Sequence, residues 1–235
     1  MTDDLNDFIA LRPASGHRPL QGLTVLVVED SRFACEAMRL LCLRSGARIR
    51  RADCLRSARR HLATYRPAVI VVDLGLPDGS GLDLIADLAR AVPRVPVILG
   101  TSGSSELRDE ALAAGADDFL EKPIESLAAF QDVVLRALPA EARPFGLRAV
   151  HDETIRPDPL ALQDDLKEAA GILAAPGDAS RIAYAAQFLS GVALSAHDDA
   201  LEDAARAVAR NRDAAPEVTR LAGMVHDRLA AGTRF

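Results

Sequence analysis

Five short strand-like runs, all but the second mainly apolar and each followed by a stretch of helical periodicity, restrict this chain more than any other feature. The runs are LTVLVV (23–28), RIRRA (48–52), AVIVV (68–72), VPVIL (95–99) and DFL (118–120). The segments after them carry apolar residues three and four apart: Phe33, Ala37, Met38 and Leu41 share one face of the first, and Gly46 stops it. Strand and helix in alternation predict a parallel sheet covered by helices on both faces. Its crossovers are right-handed. The fold class is therefore an α/β doubly wound, five-stranded parallel sheet over residues 23–138. RIRRAD carries too much charge for a central strand and belongs at an edge. Ser104 or Ser105 is the candidate N-cap of the fourth helix.

The alternation stops at Pro139. Residues 139–159 hold four prolines and no sustained period, as a linker does, with room for partial packing. Residues 1–22 read as an N-terminal extension. From 160 to 235 four amphipathic helical segments follow one another. Their apolar stripes run through Leu162, Leu166, Ala169 and Leu173; through Ile182, Ala186, Leu189, Val192 and Ala196; through Leu201, Ala204, Ala205 and Val208; and through Val218, Leu221, Val225 and Leu229. An all-α antiparallel bundle buries all four stripes.

Composition narrows the function classes. No apolar run approaches the roughly 20 residues that span a bilayer, and MTDDLNDFIALRPASGHRP lacks the basic-then-apolar order of a secretory signal. A cytoplasmic protein without a membrane partner is the expectation. The net charge of −6 weighs against nucleic acid as the main partner. Cys35, Cys42 and Cys54 have no metal-ligand spacing and read as inert thiols. Eight arginines and one acid, Asp53, fill residues 44–66. They make either a solvated edge or a patch for an acidic partner.

Ligands of such sheets bind beyond the carboxyl ends of the strands. Those ends carry Glu29 and Asp30, Asp73, Thr101, and Lys122, one of only two lysines. Taken singly, acids and threonines are common turn formers at strand ends, and LPDG is an ordinary turn. Together they place three carboxylates, a hydroxyl and an ammonium on one rim. Three carboxylates repel unless a cation sits among them, and oxygen ligands suit Mg²⁺. A site of this kind fits phosphoryl transfer, with Asp73 as nucleophile and Thr101 as a hydrogen-bond donor.

VVED (27–30), VVDLGLPDGSG (71–81), PVILGTS (96–102) and FLEKPI (119–124), in this order and spacing, resemble the receiver domain of two-component response regulators. The resemblance implies that Asp73 is phosphorylated by a histidine kinase or a histidine phosphotransfer protein. It implies that Asp30, with Glu29, Asp73 and the backbone carbonyl of Gly75, binds Mg²⁺. It implies that Thr101 and Lys122 contact the phosphoryl group, and that Phe119, three residues before Lys122, is a switch residue driven by packing alone. The plain alternative for Phe119 is core packing. Gly100 and Ser102 beside Thr101 are expected to loosen that loop. The resemblance implies a stoichiometric phosphoacceptor rather than an enzyme, with autodephosphorylation left open. Pairing into a homodimer through the fourth and fifth helices is left open.

AQFLSGVALSAHDDALEDAARAV (186–208) is similar to the histidine phosphotransfer (HPt) domain at Leu189 and Gly191, with Gln187 in place of the acceptor histidine and Ser190 in place of the lysine. Gln187 lies on the solvent face, two residues from core-facing Leu189. Glutamine has no nucleophilic nitrogen, so this position does not take phosphate. His197 and His226 read as surface or capping residues. Residues 146–235 hold ten basic and fourteen acidic residues, a net charge of −4, and no helix with a basic face. The expected output is control of protein–protein interaction, with a kinase or another receiver docking on the bundle. An active phosphorelay through a bundle histidine, and a DNA-binding transcriptional regulator, are the alternatives.

Overall fold

The structure is a computed structural model that describes residues 18–143, 153–174, 179–211 and 215–232. Most of the N-terminal extension and residues 144–152 of the linker lie outside the described residues.

The α/β half contains β1 (Thr24–Val28), α1 (Arg32–Ser45), β2 (Arg48–Ala52), α2 (Leu55–Thr64), β3 (Val69–Asp73), α3 (Gly81–Arg90), β4 (Val97–Ser102), α4 (Leu107–Ala114), β5 (Asp118–Glu121) and α5 (Leu127–Ala137). A two-residue hairpin, Gly75–Leu76 with Gly79–Ser80, lies between β3 and α3. The sheet is parallel in the order β2-β1-β3-β4-β5. The chain reverses its direction of travel across the sheet between β1 and β3, and a crevice opens at that point. β2 is the edge, with three of its arginines exposed.

Residues alternate between the two faces along each strand. Val25, Val27, Val69, Val71, Val97 and Leu99 pack under α1 and α5. Leu26, Val28, Ile70, Val72 and Ile98 pack under α2, α3 and α4. All five residues of β3 are buried, Asp73 included. Burial pushes the thiols of Cys35 and Cys42 up to about 12, while Cys54 is only partly buried. At pH 8 iodoacetamide should therefore label Cys54 first, with Cys35 and Cys42 reacting only in denaturant, as counted by mass spectrometry.

The helix ends follow local chemistry. Ser31 caps α1 by accepting from the Ala34 amide, and Gly46 closes the helix at φ 84°, where a side chain is strained. The fourth helix departs from expectation. It starts one or two residues late, with Glu106 at the N-cap and no side-chain cap, because the Ser104 and Ser105 carbonyls accept from Leu107 and Arg108 in the turn that leads into it. Gly100 departs too. It is paired within β4, and a Cβ there would lie 3.0 Å from Ala111 Cβ and 3.2 Å from Phe119 Cδ2, so packing rather than looseness demands glycine.

The helical half has four helices, α6 (Pro159–Ala174), α7 (Ala179–Ser195), α8 (Asp199–Arg210) and α9 (Ala215–Ala231). α6 packs on α7 and α9, and α8 packs on α7 and α9, which closes a four-membered ring. Leu162, Leu166, Leu189, Val192, Leu201, Val208, Leu221 and Val225 form its core. Phe33 belongs to this core and not to the sheet's. The first-turn position of Phe33 on α1 turns its ring outward to the helical half, whereas Met38 and Leu41 face the sheet. Within the linker, Thr154 bridges Ser126 and Ile155 is buried against the α1/α5 layer. No described helix is long and apolar enough to cross a membrane.

Candidate functional site

β1, β3, β4 and β5 deliver their last residues to one rim. Glu29 and Asp30 follow β1, Asp73 ends β3, Thr101 is its register partner on β4, and Lys122 follows β5. Carboxylate oxygens of Glu29, Asp30 and Asp73 all lie within 4.8 Å of one another. Lys122 Nζ is 2.7 Å from Glu29 Oε2 and 3.2 Å from Asp73 Oδ2. Glu29, Asp73, Thr101 and Lys122 are buried, and Asp30 is half-buried. The predicted rim residues are thus brought together.

The electrostatics show an unbalanced cluster. Burial and then the Asp73 charge hold Glu29 well above the carboxylate range. The same two causes raise Asp30 to about 6, although Tyr184 donates to it. Burial works against the Lys122 charge, yet Asp73 and Glu29 outweigh it and raise the ammonium above its ordinary value. One ammonium does not neutralise three carboxylates, so the cluster has the charge and the oxygen donors for a hard divalent cation. Thr101 Oγ1 is buried with no hydrogen-bond partner among the described residues. A buried orphan hydroxyl is costly, and this one is available to an oxygen arriving on the rim. Phe119 is buried among the α3/α4-side layer, turned inward against Gly100.

The helical half sits directly on this rim. Tyr184 of α7 donates to Asp30 Oδ2 at 2.7 Å. Asp165 of α6 accepts from Ser31 Oγ at 2.7 Å, Arg32 N at 2.8 Å and Phe33 N at 3.0 Å. These amides open α1 and have no partner inside the helix. The positive end of the helix dipole favours the carboxylate. Between rim and bundle lies a cleft of about 260 Å³ whose walls include Asp73, Lys122, Gly75 and Gln187. Gln187 is exposed, as expected, but its exposed face looks onto the rim. His197 pairs with Glu125 at 2.9 Å, His226 is exposed, and neither lines the cleft. Sequence reasoning missed Asp165 and Tyr184. An acid set between Leu162 and Leu166, and one of only two tyrosines, were the available signals.

A family model described as the response regulator receiver domain matches residues 25–133. Residues 25–133 are a response regulator receiver domain. Among curated relatives, the KDP operon transcriptional regulatory protein KdpE of Escherichia coli is 39% identical over 146 residues, which are 60% of this chain and 58% of that protein. The virulence transcriptional regulatory protein PhoP of Salmonella typhimurium is 33% identical over 117 residues, 48% of this chain and 52% of that protein. The chain thus spans little more than half the length of these relatives. Among solved structures, the receiver domain of sensor histidine kinase PA1611 from Pseudomonas aeruginosa, with magnesium in its active-site cleft, is 25% identical. It covers 49% of this chain and 96% of that one at a TM-score of 0.44. The receiver occupies the α/β half, and the helical half lies beyond the matched residues.

Proposed function

We propose that the protein is a two-component response regulator that accepts a phosphoryl group on Asp73 and passes the signal on through the seating of its helical half. The observation that carries this reading is the convergence of Asp73 with Glu29, Asp30, Lys122 and the partnerless Thr101 hydroxyl on one rim. Residues 23–138 are the receiver, 139–159 the connection, and 160–235 the output domain. Asp30 and Asp73, with the Gly75 carbonyl and Glu29 nearby, would hold Mg²⁺, which when bound offsets charge on phosphoryl oxygens. An Asp73 carboxylate oxygen attacks the phosphorus of a phosphohistidine or a small phosphodonor, and the bond from phosphorus to the leaving group breaks. Lys122 offsets charge on the phosphoryl oxygens, and the Thr101 hydroxyl donates to one of them. Charge gained at Asp73 faces the Tyr184–Asp30 contact and α7, so phosphorylation bears on the seat of the bundle. The partners are a histidine kinase or HPt protein upstream and a protein downstream. The Gln187 position supports an HPt-like bundle without an acceptor.

Incubation with acetyl phosphate and Mg²⁺ should give an acid-stable, base-labile label that Asp73→Asn abolishes. Base-stable label would instead place phosphate on a histidine and favour a relay. The relatives KdpE and PhoP are transcriptional regulatory proteins, which favours a DNA output. Salt-dependent retention of duplex DNA by the phosphorylated chain would establish that output against the protein-binding one.

A further inference from the structure

Gly75 presents no side chain to the rim, and the space its side chain would take is filled from the helical half. A Cβ on Gly75 would stand 2.4 Å from Gln187 Nε2 and 3.1 Å from its Cδ. Gly103, two residues beyond Thr101, repeats the arrangement, with a Cβ there 2.8 Å from Leu194 Cδ2. The rim is therefore cut back at two places where α7 approaches it. The contacts of Asp165 and Tyr184 fix α7 at this distance. Among the described residues, no hydrogen bond holds the Gln187 carboxamide. It faces a cleft of about 260 Å³ shared with Asp73 and Lys122, room for a phosphoryl group and several waters at ~30 Å³ each.

A carboxamide beside a phosphoryl site has one evident use. Its oxygen accepts from a water while its N–H groups donate, and a glutamine that orients an attacking water is a general device of phosphoryl chemistry. We propose that Gln187 orients the water that hydrolyses phospho-Asp73, so that the helical half is a built-in dephosphorylation element of its own receiver. This rests on the phosphoacceptor reading above. The water oxygen forms a bond to phosphorus as the bond from phosphorus to Asp73 Oδ breaks. The electron pair returns to the Asp73 carboxylate, and the water proton leaves with inorganic phosphate to solvent. Gln187 is unchanged at the end.

The test uses the full chain loaded with acetyl phosphate and Mg²⁺, freed of donor, and followed by decay of the acid-stable label and release of phosphate. Gln187→Ala, and Gln187→Met, which keeps the length and packing of the side chain, should each lengthen the half-life about tenfold or more, as expected for loss of one transition-state hydrogen bond. Unchanged or shorter half-lives in both would overturn the proposal, and shorter ones would show that α7 merely shields the acyl phosphate. A readout free of turnover is the Gln187 side-chain amide signal in ¹⁵N spectra, identified by its loss in Gln187→Ala. It should shift when beryllofluoride, a phosphoryl mimic, is added, and a signal that stays in place overturns the proposal. Absence of label in every variant would instead reject Asp73 as the acceptor.

Discussion

Asp165→Ala is expected to unseat the helical half while leaving both halves folded. Asp165 is 0% exposed and accepts three hydrogen bonds from the start of α1, two of them from backbone amides. Those amides are left over by helix geometry and cannot find a partner within α1. A bond to a charged acceptor contributes roughly 1.5–3 kcal/mol, and the three share one carboxylate, so their contributions do not add. Removing it leaves neutral donors unsatisfied, at roughly 1–3 kcal/mol for one that stays buried, enough to lower the seated population about tenfold or more. Tyr184→Phe removes a single bond to Asp30 and should act in the same direction, by roughly 1–2 kcal/mol. Hydrogen exchange checks this. In Asp165→Ala the amides of Arg32 and Phe33 and those around Tyr184 should lose protection, while β1 and β3 keep theirs. Protection retained at Arg32 and Phe33 would show that apolar contact through Phe33 alone holds the two halves together.

The same residues mark where the sequence was legible and where it was not. β1, β3 and β4 announce themselves because each must be apolar on both faces to lie inside a doubly covered sheet. The rim was legible for a related reason: a charge at the end of such a strand has to be presented somewhere, and three strand ends present charges beside the Thr101 hydroxyl of a fourth. The bundle's stripes follow from the helical period alone. The seating of the bundle follows from no period. Asp165 breaks its own stripe to cap a helix 132 positions away, and Phe33 reads as sheet-facing until α6 and α7 surround it. Gly75 and Gly100 look like loop residues, and only the approach of Gln187 to one and of Ala111 and Phe119 to the other shows that a side chain there would displace a neighbour. Such complementarity is written half in each domain.

Without a divalent cation, the rim carboxylates are expected to make the protein less stable as the pH rises from about 4 to about 6. Asp30 has an ordinary value of 3.8 and is held at about 6 in the fold, by burial first and by Asp73 second. Between those values the folded state binds more protons than the unfolded chain, so stability falls as the pH climbs through the window and levels off above it. For Asp30 the loss is on the order of 2–3 kcal/mol, and Glu29, raised for the same reasons, adds to it in the same direction. The carboxylates held low in the fold, Asp53, Asp78 and Asp198, act with the opposite sign and below their ordinary value, outside this window. Urea midpoints between pH 4.5 and 7.5 should therefore drop in EDTA and drop far less in Mg²⁺, so that the stabilisation by Mg²⁺ grows with pH. Asp73→Asn removes the neighbouring charge and should flatten the EDTA profile. A profile that rises with pH, or one that Asp73→Asn leaves unchanged, would mean that the three carboxylates do not oppose one another on the rim, and the physical case for a cation there would fail with it.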